Sequence, residues 1–136
     1  MIKPIMKSEF FLRLPSEDAG PDDAATGQDL LDTLHEHEHE CVGLAANMIG
    51  VRKRIICVKD GNRALLMYNP QILEQVNAYQ TSEGCLSLTG ERPCTRYRRI
   101  KVEYLDENFV HRIKNFSGYT AEIIQHEIDH CTGMVI

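Results

Sequence analysis

Near the end of the chain, His126-Glu127-Ile128-Asp129-His130 sets two histidines four residues apart. On a helix this spacing stacks the imidazoles one turn apart on a single face, where both can reach one metal ion. Glu127 is rotated about 100° from His126, so it can lean toward a water beside the ion without itself ligating, as a general base requires. Asp129 points nearer the opposite side, where a solvated charge or a bond to neighbouring backbone is the expected role. A catalytic ion usually takes three protein ligands and keeps one position open, so the histidine pair needs a third donor from elsewhere.

Five cysteines, at positions 41, 57, 85, 94 and 131, are the candidates. Their odd number and the lack of a CxxC pair argue against a disulfide framework and for buried thiols or a metal ligand. Cys131 adjoins His130 but points about 100° away on the helix, which suits buried packing. Cys85, in Glu83-Gly84-Cys85-Leu86-Ser87, follows a glycine that permits close backbone approach, and a thiolate with two imidazoles makes a coherent tetrahedral set. On spacing alone it stays one of five thiols. Tyr119 and Ile123 share a broad helix face with His126, Glu127 and His130, so they either line a pocket beside the ion or pack in the core. Glu122, one turn before His126, suits an apolar pocket poorly.

These groups need elements to hold them. Ser117 can cap a helix running through Cys131, with Gly133 placed to end it. Upstream, Leu30, Leu31 and Leu34 have helical spacing behind a weak Thr26/Asp29 capping pair, which predicts a helix from Thr26 to about residue 39. Short β-like runs span Arg54 to Lys59 and Ala64 to Tyr68, the latter ended by Asn69-Pro70. Ile100, Val102 and Tyr104 alternate with charged residues over Arg99 to Leu105, and the turn-like Asp106-Glu107-Asn108 joins this strand to Phe109 to Phe116 as an antiparallel hairpin. Pro15 to Asp23 reads as a surface loop. Strands followed by a late helix indicate α+β. The His35 to Glu40 run, with its own i, i+4 histidines, reads as a solvated helix end rather than a second metal site. Of Arg92, Arg96, Arg98 and Arg99, one is expected to pair with Glu83 and the others to face solvent.

The 136 residues suit one domain spanning 1–136. With 15 basic and 20 acidic residues the formal charge is −5, which disfavours extensive nucleic-acid binding or capture by an anionic membrane. No apolar run approaches the roughly 18 residues of a membrane helix, and the first ten residues lack the apolar stretch of a secretory signal, so a cytoplasmic address is expected.

Three segments, in order, resemble the motifs of the peptide deformylase family. That family carries G-x-G-L-A-A-x-Q-x-G, then E-G-C-L-S, then Q-H-E-x-D-H. Here Cys41 to Gly50 reads CVGLAANMIG, Glu83 to Ser87 reads EGCLS and Gln125 to His130 reads QHEIDH, and the similarity runs from about Leu30 onward. The resemblance implies antiparallel strands around a central C-terminal helix that carries the metal-binding histidines. It implies that Cys85, His126 and His130 hold a divalent metal, usually Fe2+ in the cell, with Zn2+ or Ni2+ able to substitute. The implied reaction removes the N-formyl group from the starting methionine of a nascent chain, with Glu127 as the proton carrier and the Leu86 backbone N–H at the developing oxyanion. It also carries Gly43 into the reacting centre and assigns Tyr119, Ile123 and Met48 to substrate binding. The implied partner is a formylated nascent peptide, at the ribosome, met by a monomer.

Two positions depart from the first motif. Cys41 stands at a glycine position, and Met48 replaces the glutamine whose amide donates to the formyl oxygen; a thioether only accepts, and weakly. The resemblance therefore implies a deformylase of weakened activity, with a catalytically silent binder of peptide N-termini as the alternative. Retention of Glu127 favours the enzyme. A metalloprotease draws on His-Glu-x-x-His alone and lacks the downstream third ligand of the common protease motifs.

Overall fold

The expected C-terminal helix is the piece around which the rest is wrapped. The computed structural model describes residues 1–135; Ile136, the last residue of the expected domain, lies outside them. Three helices are present among the described residues, α1 (Glu9–Leu12), α2 (Ala24–Glu36) and α3 (Gly118–Cys131), with five strands between α2 and α3: β1 (Gly43–Ala45), β2 (Ile55–Asp60), β3 (Arg63–Cys85), β4 (Leu88–Leu105) and β5 (His111–Ser117). The strands form one antiparallel sheet in the order β1-β2-β3-β4-β5, and the α+β reading holds.

Ile55 to Val58 are wholly buried because α2 and α3 both pack on β2. Leu30 and Leu34 of α2, Leu44, Met67 and Tyr68, Ile100 and Val102, and Ala121 and Ile124 of α3 complete the core. On α3, Ala121 and the run Ile123 to Glu127 are all buried, together with His130 and Cys131. Burial of polar and apolar residues on most sides distinguishes this helix from an amphipathic surface one. Its end is fixed as expected: Gly133 sits at φ 82°, its N–H donates to the His130 carbonyl, and the Met134 N–H reaches back to Asp129 O at 3.0 Å, a glycine-terminated cap. Ser117 occupies the N-cap position in extended conformation, without a side-chain bond to the helix.

The β4–β5 hairpin forms with Arg99 opposite Ser117 and Leu105 opposite His111. Asp106 Oδ1 accepts from the N–H groups of Asn108 and Val110, which makes the turn local chemistry. β5 begins at His111 rather than Phe109 because Phe109 adopts a left-handed φ of 58° and stacks its ring on Tyr68 at 4.2 Å.

Further expectations are corrected, and the strand expected from Arg99 begins at Leu88. β3 does not end at Asn69-Pro70 but runs on to Cys85, since the proline falls in a register shift between Tyr68 and Gln71, a place where a missing N–H costs no ladder bond. Asn69 serves there as an anchor, accepting from Ala19 N–H at 2.7 Å and donating to Ala19 O at 2.9 Å. Helix α2 starts at Ala24, ahead of the Thr26/Asp29 pair, and stops at Glu36, where the chain turns so that Lys59 N–H can meet Val42 O and β1 can pair with β2. Within the expected loop, Pro21–Asp23 forms a 3-10 turn that leads into this helix.

Candidate active site

β3 and β4 close on each other at Cys85 opposite Leu88, so Leu86 and Ser87 form the tip of a long hairpin. The tip lies against α3, whose buried face carries the histidines. Cys85 Sγ and His130 Nε2 are 3.5 Å apart, and the two Nε2 atoms 3.2 Å apart. Among the described residues, Cys85, His126 and His130 are the one group of three or more His, Cys, Asp or Glu whose donor atoms converge, all within 4.8 Å of one another. One sulfur and two imidazole nitrogens meeting at a point is a donor set suited to a divalent transition metal. The Ser87 N–H points at the same sulfur, at 3.4 Å.

Of the two imidazoles, His126 is held from behind, whereas His130 Nδ1 has no partner among the described residues. His126 Nδ1 meets Glu83 Oε1 at 2.7 Å, which leaves Nε2 to the centre. Glu83 in turn takes three contacts of 2.7 to 3.1 Å from Arg96, and Arg96 Nη1 reaches Asp129 Oδ2 at 2.6 Å. The arginine paired with Glu83 is thus Arg96, and Asp129 ends in an ion pair rather than as a solvated charge. Burial of Glu83 is outweighed by the bonds from His126 and Arg96, which keep its carboxyl far below the usual range. For His126, burial opposes charge, but Cys85 and Glu83 together lift the ring to about 10, while burial and the neighbouring His126 drop His130 to about 3. The two rings meet edge to face with their Nε2 atoms turned to one point, so they do not both carry a proton there.

Glu127 is 4% exposed, and its Oε1 has no partner among the described residues. Burial pushes the carboxyl up to about 7, near the working value for a proton carrier at neutral pH. It sits against Gly43, where a Cβ would lie 3.0 Å from Glu127 Oε2 and 2.7 Å from Ile123 Cγ2. The close approach of strand and helix therefore requires glycine.

A cleft of about 610 Å3 opens here, lined by Gly43, Met48, Cys85, Leu86, Tyr119, Ile123, His126 and Glu127, among others. The sequence-derived candidates are brought together, with His130 behind the lining. Tyr119 stands at the rim, 64% exposed, and Ile123 is 5% exposed in the wall. Met48 is 1% exposed, with its Sδ turned back to accept from Ala45 N–H at 3.5 Å. Cys41 also lines the cleft; burial, then the charge of Glu127, pushes its thiol to about 12. Cys131 is buried in the core. The His35 to Glu40 run lies at the α2 end as local pairs, His35 with Glu38 and His37 with Glu40.

Sequence reasoning missed the pins between elements. Gln125 clasps the β4 backbone, accepting from Tyr97 N–H and donating to Tyr97 O. Asn47 donates to His130 O at 3.0 Å. Both lie inside the motifs, so position could have flagged them; Tyr79, bonded to Glu122 at 3.2 Å, carried no local signal.

The chain is similar to known proteins over its whole length. The family model for polypeptide deformylase matches residues 6–136. A peptide deformylase of Clostridium beijerinckii is 51% identical over 136 residues, covering all of both chains. Among solved structures, peptide deformylase from Thermotoga maritima superposes with a TM-score of 0.89 at 28% identity, covering 99% of this chain and 95% of that one. A Met-Ala-Ser-bound class I type b peptide deformylase from Acinetobacter baumannii gives 0.87 at 27% identity, with 99% and 96% covered. The chain belongs to the peptide deformylase family, metal-dependent hydrolases that remove the N-formyl group from nascent proteins.

Proposed function

We propose that the cleft between β1, the β3–β4 turn and α3 is the site of deformylation, with Cys85, His126 and His130 as ligands of a divalent metal. The observation that carries the reading is the convergence of one thiol and two imidazole nitrogens beside a buried, unpartnered carboxyl. When bound, the ion supplies Lewis acidity that polarises the formyl carbonyl and makes water more acidic. Fe2+ is the metal proposed for the cell, with Zn2+ or Ni2+ able to replace it.

Glu127 accepts the proton of the water that adds to the formyl carbon. It returns that proton to the methionine nitrogen as the C–N bond breaks, leaving formate and a free amine. Its freedom to do both follows from its unpartnered Oε1 and a pKa near 7. The Leu86 N–H donates to the formyl oxygen as charge develops there. Lys7 Nζ fixes the tip from outside by donating to Leu86 O at 2.8 Å. Gly43 keeps space for the Glu127 carboxyl, and Ile123, Tyr119 and Met48 receive the methionine side chain.

We extend the reading to a single domain that works as a monomer in the cytoplasm, on nascent chains at the ribosome. One chain supplies every group invoked, and among the described residues no helix is long and apolar enough to cross a membrane. An anaerobic assay of the iron-loaded protein on formyl-Met peptides, beside the same peptides N-acetylated, tests the function. Release of formate with little release of acetate is expected; no formate from folded, loaded protein would overturn the reading.

A further inference from the structure

The tip of the β3–β4 hairpin is not held by its own turn. Cys85 stands opposite Leu88, with a register shift just before it, so Leu86 and Ser87 make up the whole connection. Neither has a positive φ, whereas the two-residue turns whose twist matches a hairpin need such a residue at one or both positions. The peptide between Leu86 and Ser87 is the plane that rotates when a turn changes type. Here it is pinned at both ends. Its carbonyl, Leu86 O, accepts from Lys7 Nζ at 2.8 Å, and its N–H, on Ser87, points at Cys85 Sγ at 3.4 Å.

Lys7 reaches the tip from a strap of chain that is itself anchored. Lys3 N–H donates to Thr33 Oγ1 on α2 at 2.9 Å, and Met6 N–H donates to Met48 O at 2.7 Å. Ser8 follows as the N-cap of α1, its Oγ accepting from Phe11 N–H at 3.2 Å. Backbone on both sides of Lys7 is thus fixed, and the ammonium is offered to the tip from a set position. Met48 and Leu86 both line the cleft, so Met6 and Lys7 join two parts of its lining. A charged donor binds a carbonyl more strongly than a neutral one, and it polarises the N–H at the other end of the same peptide.

We infer that Lys7 is a positioning residue for the reaction: its ammonium holds the Leu86–Ser87 peptide in one orientation, which keeps the Ser87 N–H on Cys85 and steadies the turn that presents the Leu86 N–H. The inference rests on the cleft being the site of deformylation, with Cys85 as a ligand and the Leu86 N–H as donor to the formyl oxygen. Loss of one such donor costs about 10² to 10³ in kcat; Lys7→Met leaves the donor in place and frees only the plane beside it, so a loss of about 3- to 10-fold is expected. Ile123, Tyr119 and Met48 are untouched, so KM should stay within about twofold. Lys7→Arg keeps a charged donor of similar reach and should stay within about twofold of the parent in both constants.

The experiment compares the parent, Lys7→Met and Lys7→Arg proteins, each loaded with Zn2+. Exchange of the Ser87 amide proton, followed by NMR, reads the peptide independently of turnover, and formate release from formyl-Met peptides gives kcat and KM. Lys7 is exposed, so both variants should fold, with a thermal melt as the check. In Lys7→Met the Ser87 amide should exchange at least about fivefold faster, with the Ile100 and Val102 amides of β4 unchanged. The loss in kcat should accompany it, and Lys7→Arg should restore both. Parental Ser87 exchange or parental kcat in Lys7→Met would overturn the inference, as would a Lys7→Arg protein as impaired as Lys7→Met. An active parent with an unchanged Lys7→Met protein defeats only the role of Lys7, whereas no formate from the loaded parent defeats the reading of the site and the inference with it.

Discussion

Adding one methyl group at Gly43 should disable the proton carrier while sparing the metal. A Cβ built there lies 2.7 Å from Ile123 Cγ2, 3.0 Å from Glu127 Oε2 and 3.2 Å from Glu127 Cγ. The first distance is well inside contact, and the next two require the neighbour to yield by a few tenths of an ångström. Ile123 is held in the wall between core and cleft, so part of the displacement must fall on Glu127. Overpacking of this kind costs about 1 to 3 kcal/mol of stability, and a misplacement of about 1 Å at a reacting centre costs about 10²-fold in rate. Gly43→Ala is therefore expected to lower kcat on formyl-Met peptides by about 10- to 100-fold while the protein folds and binds one metal. The assay is formate release by protein loaded to equal metal content, with a thermal melt as the check on folding. Activity within about twofold of the parent would show that Glu127 is not set by this contact and would refute the reasoning.

Other substitutions test neighbouring parts of the account. Glu127→Gln keeps the shape but cannot carry the proton, so turnover should fall by at least about 10² to 10⁴ with metal content, measured on the same sample, unchanged. Met48→Gln introduces an amide that can replace the thioether as acceptor for Ala45 N–H and turn its N–H2 toward the cleft. Since one donor to an oxyanion is worth about 10² to 10³ in kcat, kcat/KM on formyl-Met peptides should rise at least about tenfold; no rise would mean another group already fills that role. Arg96→Met strips the buried Glu83 and the half-buried Asp129 of their cation, and chemical denaturation should show a loss of about 3 to 5 kcal/mol.

What could be read in the sequence was chemistry with a local period or a local turn. The histidine pair follows from 3.6 residues per turn, the β4–β5 hairpin from alternation joined by an Asx turn, and the α3 terminus from Gly133. The path of β3 was hidden because Asn69-Pro70 is a stop signal when viewed along the chain and a bulge when viewed across the sheet. The supports of the site were hidden for the same reason. Glu83 and His126 stand 43 residues apart, and Asn47 and His130 stand 83 apart, so nothing near either partner announces the bond. Arg96 could be placed only within a set of four arginines, since Arg92, Arg96 and Arg98 share one parity along β4 and only Arg96 is buried. Glu122, an acid in an apolar face, was the local inconsistency, and its hydrogen-bond partner, Tyr79, lies across on β3.

The ligand assignment underlies the rest, and it can be tested by metal analysis of two variants that each lose one cysteine. Cys85 is in the cleft and Cys131 in the core of the same helix end, so the pair separates a ligand from a packed thiol. Cys85→Ala should retain little metal, because two imidazoles alone are too few donors for a stable open site, and should release no formate. Cys131→Ala should bind one equivalent and turn over formyl-Met peptides. Full metal in Cys85→Ala, or loss confined to Cys131→Ala, would contradict the assignment.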